Sequence, residues 1–203
     1  MKVVIQCAAR KQPGAGSFRL SDGRPVRFVA RPDLAPKDGS AYARPDDESD
    51  DGPTWRQRLL AYNRSAKRNP LELLPAYRLY ANGAYVRLVE KFGIEQVFIL
   101  SAGWGLIPAG FLTPDYDITF SASAAPWSRR RPSDRYGDFR LLRDDGVATV
   151  YLGGKDYIPS FAELARGVRG EKTVFFNSAR LPDLPPGLRR GLGRTGITNA
   201  PMP

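Results

Sequence analysis

The 203-residue chain contains no histidine and a single cysteine. Without imidazole there is no Ser-His-Asp triad, no histidine general base and no histidine metal site, so proton chemistry falls to carboxylates, Lys, Tyr or water. One thiol, Cys7, excludes an intrachain disulfide and a cysteine-cluster zinc site, and no metal or cofactor is expected. No apolar run is long enough to span a bilayer. Met1-Lys2 leads directly into an apolar, β-branched run rather than a signal peptide, so the expected location is the cytoplasm, with no membrane partner. Acidic residues are in the minority: 31 Lys and Arg face 21 Asp and Glu, a net charge of +10 with a pI near 10. That balance favours a polyanionic partner, nucleic acid first, because neutralising phosphates releases counterions. A soluble protein that is merely basic has the same charge.

Apolar residues make up 42% of the chain, enough for a full core, and residues 1–203 read as a single α/β domain. Four short apolar runs read as strands: Lys2 to Cys7, Gln96 to Leu100, Ala148 to Leu152 and Thr173 to Phe176. Each ends in a polar or glycine-bearing loop. The expected fold is a small parallel four-stranded sheet flanked by helices, with its loops converging at one end. A helix containing Phe161, Leu164 and Ala165 is expected after Ala148 to Leu152, and two more before Gln96. One spans Trp55 to Lys67, with Trp55, Leu59 and Tyr62 or Ala66 on one face. The other runs from about Pro75 to Phe92, with Tyr77, Tyr80, Tyr85 and Leu88 at helical spacing as core residues, and stops at Gly93. Residues 21–53 are rich in Pro, Gly and charge and read as a flexible insertion whose acidic run, Asp46 to Asp51, is solvated. A basic loop is expected over 121–146.

Residues Ile99 to Ser121, ILSAGWGLIPAGFLTPDYDITFS, carry the densest signal. Gly103 and Gly105 imply close backbone approach to a neighbouring loop or a ligand, because a Cβ would block it. The Ser101 hydroxyl and nearby N–H groups can donate to an anion or a base edge. Trp104 reads as exposed, or else as a cap on the core, and Asp117 after Tyr116 suits either a carboxylate site or a turn.

This stretch resembles the signature of the YaaA-type family of peroxide-stress DNA-binding proteins: a strand ending in Leu-Ser, then an aromatic-Gly pair, a Pro, and a Tyr followed by a polar residue. Tyr151-Leu152-Gly153-Gly154-Lys155-Asp156-Tyr157 is similar to a second strand end of that family. More widely, the chain resembles the uracil-DNA-glycosylase-like superfamily, in which catalytic loops follow the first and last strands. Here those places hold Gln6, Cys7, Arg10 and Lys11, and Asn177, Ser178 and Arg180. The first loop has no acidic residue and the last has no histidine. A carboxylate therefore has to come from Asp117, or in second place from Asp156, with Asn177 as the third candidate catalytic residue.

What the resemblance implies is a DNA glycosylase acting on a modified base, with hypermodified phage cytosine as the substrate by analogy. A carboxylate would stabilise the oxocarbenium-like sugar or orient water. Arg10, Lys11 and Ser178 would offset charge on the departing base, and Trp104, Tyr116 or Tyr157 would stack on it once extruded. Gly153 would line the pocket. Arg129, Arg130 and Arg131, beside Arg189, Arg190 and Arg194, would grip phosphates. The alternatives are a non-catalytic DNA-binding stress protein of the YaaA type and a hydrolase of free nucleosides or nucleotides.

Overall fold

A computed structural model describes residues 1–65, 68–131, 133–176 and 183–191. The elements run β1 (Lys2–Gln6), β2 (Val26–Val29), β3 (Ala41–Ala43), α1 (Trp55–Ser65), β4 (Leu74–Pro75), α2 (Ala76–Leu79), α3 (Ala84–Phe92), β5 (Val97–Ser101) and β6 (Gly105–Pro108). They continue with β7 (Leu112–Thr113), β8 (Tyr116–Asp117), β9 (Phe139–Arg140), β10 (Thr149–Gly153), α4 (Ile158–Leu164), β11 (Lys172–Phe176) and β12 (Arg189–Arg190).

The four expected strands are β1, β5, β10 and β11, and they lie side by side and parallel in the order β11-β10-β1-β5. Their side chains explain why. Val97 to Ser101 is buried at every position, as a strand covered on both faces must be. The sheet is nevertheless larger than expected. It has seven strands and is mixed, because β6 joins β5 antiparallel, β9 follows β6, and β12 extends the other edge. Gly105 makes the reversal. Its φ is +90°, and a Cβ there would lie 2.6 Å from the Phe139 carbonyl oxygen, so only glycine lets β6 turn back and accept β9.

A second correction concerns the helix expected from Pro75 to Phe92. It is broken after Leu79: Tyr80 is extended, with ψ 133°. The loop after β1 supplies competing backbone partners there, since the Gln12 N–H donates to the Leu79 carbonyl at 2.8 Å and the Ala81 N–H to the Arg10 carbonyl at 3.1 Å. The helix resumes once the Asn82 side chain accepts from the Ala84 N–H. Helix α1 keeps its expected apolar face, with Trp55 and Leu59 buried.

Residues 21–53 carry β2 and β3 in a three-stranded sheet with β8. Val26, Phe28, Val29 and Ala30 from this stretch are buried, and Phe28 packs edge-on against Trp104 at 5.1 Å between ring centroids. Trp104, which reads in sequence as exposed or as a cap on the core, is fully buried. Within the acidic run, Asp46 pairs with the guanidinium of buried Arg56 rather than facing water. No helix among the described residues is long and apolar enough to cross a membrane.

Strand β1 is central. The chain leaves it for β5 on one side and later fills the other side with β10, so a switch in strand order falls at the carboxyl end of β1. In open α/β sheets ligands gather at such points.

Candidate active site

Under this end of the sheet the expected polar residues do meet, as a buried platform. Ser101 Oγ accepts from the Trp104 N–H at 3.1 Å and donates to the Tyr116 hydroxyl at 2.9 Å, which meets the Tyr80 hydroxyl at 2.9 Å. Cys7 Sγ accepts from the Ala102 N–H and lies 3.4 Å from the Tyr157 hydroxyl, itself 3.4 Å from Thr119 Oγ1. Burial pushes the phenols of Tyr80, Tyr116 and Tyr157 far above their ordinary range, so all three remain protonated. Ser101, Cys7, Tyr116 and Tyr157 thus spend their hydrogen bonds on one another. They hold the loops together, while Tyr116 and Cys7 also border clefts. Gly103 and Trp104 belong to the same support, because Arg56 donates to both of their carbonyl oxygens, at 2.9 and 3.0 Å.

Above the platform opens a cleft of about 700 Å³ bounded by Lys11, Arg27, Tyr42, Asp115, Tyr116, Asp117 and Trp127. The antiparallel bridge between Lys11 and Tyr80 fixes the post-β1 loop here. Lys11 places its ammonium 4.1 Å above the Tyr116 ring. Burial lowers the pKa of Lys11, although Cys7, Asp115 and Asp117 act to raise it. Asp115 opens towards the cleft, yet the protein around its carboxyl strips enough water to raise its pKa despite nearby Lys11. Asp117 pairs through its backbone with Val29 of β2, and its carboxylate accepts from the hydroxyl of buried Ser128. That bond engages Oδ2 and fixes the orientation of Oδ1. A carboxylate so oriented beside an amine can stabilise a developing cation or position a water.

The remaining expected residues are divided between other places. Asp156 is exposed in a separate cleft of about 690 Å³ beside α4, shared with Phe120, Arg131, Arg135 and Arg140. It is not a partner of Asp117 in one pocket; Asp115 takes that position. Gln6, Cys7 and Gly153 border a third cleft, of about 830 Å³, at the ends of β1, β10 and β11. Gln6 accepts there from the Gly154 N–H at 2.5 Å. Arg10 is exposed. Asn177, Ser178, Arg180 and Arg194 lie outside the described residues.

The three adjacent arginines have different fates. Arg130 is buried, clamps Asp138 at 2.6 and 3.0 Å, and donates to the Ala102 carbonyl at 2.8 Å. It is an internal strut, so its expected role as a phosphate-gripping residue is corrected. Arg129 is half-buried, and Arg131 is exposed. Arg189 and Arg190 are exposed on the edge strand β12, with Arg189 near Glu171 at 3.5 Å.

Sequence reading missed Asp115, Arg56, Arg130 as a strut and Asp138. Asp115 had a signal, since it precedes Tyr116-Asp117 on the same side of the loop as the lysine after β1. The arginines had none: an isolated Arg looks like surface until its acid partner is placed. Compared with family models, with curated proteins and with solved structures, the chain matches none.

Proposed function

We propose that the protein is a DNA glycosylase of the uracil-DNA-glycosylase-like kind, cleaving the N-glycosidic bond of a modified base. The observation that carries this reading is the cleft lined by the loop after the central strand, where Asp117, oriented by Ser128, borders the same space as Lys11. Cleavage would proceed with the base leaving on its bonding electron pair while positive charge grows on the sugar. Asp117 is suited to stabilise that charge or to align the attacking water, and Lys11 or Arg27 to meet charge on the base. Tyr42 and Trp127 offer apolar walls for an extruded base. The net charge of +10 supports DNA, rather than a free nucleoside, as the carrier of that base.

One observation favours a second reading, a non-catalytic DNA-binding protein: the platform hydroxyls satisfy each other instead of facing the cleft. A single experiment separates the two. The protein is incubated with duplexes carrying unmodified or hypermodified cytosine and with the matching free nucleosides, and released base is measured by mass spectrometry. Release from modified DNA supports the glycosylase. Binding of DNA with no release from any duplex supports the binder, and release from free nucleosides alone supports a small-molecule hydrolase.

A further inference from the structure

We propose that Lys11 is an amine nucleophile, giving the protein an abasic-site lyase activity in addition to base release; this rests on the glycosylase reading of the same cleft. Lysine is an unusual choice to bury partly at the centre of a cleft unless it is paired. Here its nitrogen sits over the Tyr116 ring, and among the described residues it has no ion-pair or hydrogen-bond partner. Asp115 and Asp117, which line the same cleft, act on it through charge without holding it. Such an amine is positioned but not tied down, which is what attack requires. Burial also moves Lys11 towards its neutral, nucleophilic form.

The step balances without an oxidant or reductant. The Lys11 lone pair forms a bond to sugar C1′ as the base leaves with the electrons of the glycosidic bond and takes up a proton. The ring oxygen then departs from C1′ as a hydroxyl, receiving the second amine proton, and an imine remains. Loss of a C2′ proton expels the 3′ phosphate, and water hydrolyses the imine to return the free amine. On DNA that is already abasic, the amine and the C1′ aldehyde give the same imine and one water.

The test uses the full chain and a duplex with one abasic site, with borohydride added to reduce the imine to a stable amine. A covalent protein–DNA adduct is expected, with peptide mapping to Lys11. It should be lost in Lys11→Ala and also in Lys11→Arg, which keeps the positive charge over Tyr116 but cannot form the imine. DNA binding by anisotropy and unfolding by urea confirm that Lys11→Arg is folded and occupied. Absence of an adduct with bound DNA, or an adduct that persists in Lys11→Arg, overturns the assignment. Base release from modified DNA is followed in parallel: release without trapping removes only the lysine chemistry, whereas trapping without release removes the glycosylase reading.

Discussion

Replacing Arg130 with Ala should unfold the protein more readily while leaving its surface charge pattern almost untouched. The side chains of Arg130 and Asp138 are 8% and 9% exposed, and the guanidinium makes two bonds to the carboxylate and one to the Ala102 carbonyl. It also lies 3.8 Å above the Tyr136 ring. Removing one partner of a buried pair strands the other, at a cost of about 3–5 kcal/mol. Arg56 Nη2 lies 4.0 Å from Asp138 and can shift towards it, so the lower end, about 3 kcal/mol, is expected. With a urea slope of about 2 kcal/mol per molar for a domain of this size, the midpoint should fall by about 1.5 M. Arg131→Ala, at an exposed position, should stay within about 0.5 kcal/mol of the parent. Equilibrium urea unfolding followed by tryptophan fluorescence measures both. Equal midpoints for Arg130→Ala and Arg131→Ala would refute the reading of Arg130 as a strut. Substituting all three arginines together would mix a folding defect with any loss of DNA contact.

Three further outcomes are expected. Arg131→Ala combined with Arg135→Ala, both exposed and bordering the cleft beside α4, should weaken DNA binding on every sequence and reduce the slope of log K against log salt by about 2, measured by anisotropy across salt concentrations. Asp117→Asn keeps an oxygen that can accept from Ser128 but removes the charge, so base release should fall by about 10²–10³ with DNA affinity and urea midpoint retained; undiminished release would assign Asp117 to the turn alone. Asp145 holds the fully buried Lys2, and that bond lowers its pKa from the usual 3.8. Its stabilising effect is therefore present above pH 3.8 and lost as pH falls through the lower folded value. The gap in urea midpoint between the parent and Asp145→Asn should narrow below that pH, and a gap that stays constant in acid would contradict the linkage.

How much of this was legible follows from what each segment depends on. Strands β1, β5, β10 and β11 are visible because each is a short apolar run bounded by polar or glycine-bearing loops, and each expected boundary lies within one residue of the observed one. Strand β6 is apolar too, but it is four residues long and opens on Gly105, so it reads as part of the glycine-broken turn. Pairs such as Tyr116–Asp117 and Phe139–Arg140 are strands only because a partner is present, and two residues carry no period to read. The break at Tyr80 was invisible for a similar reason: its cause is the backbone of residues 10–12, far away in sequence. Lys11, Tyr116 and Asp117, singled out through the resemblance, border one cleft, whereas the separation of Asp117 from Asp156 depends on how the loops divide the surface into clefts.

The absence of histidine then takes on a definite meaning at the site. On the glycosylase reading, catalysis without imidazole calls for some other group that can change protonation. The buried phenols cannot serve as bases, because burial moves Tyr80, Tyr116 and Tyr157 further from neutrality and fixes them as donors. Lys11 and Asp115 move the opposite way: the same loss of water that lowers the amine raises the carboxyl. Because the charge on Asp115 acts to raise the pKa of Lys11, a pH profile of base release should depend on both residues. Asp115→Asn should accordingly shift the limb assigned to the amine as well as remove its own. A profile in which the amine limb is unmoved by Asp115→Asn would separate the two groups and return the role of base to water.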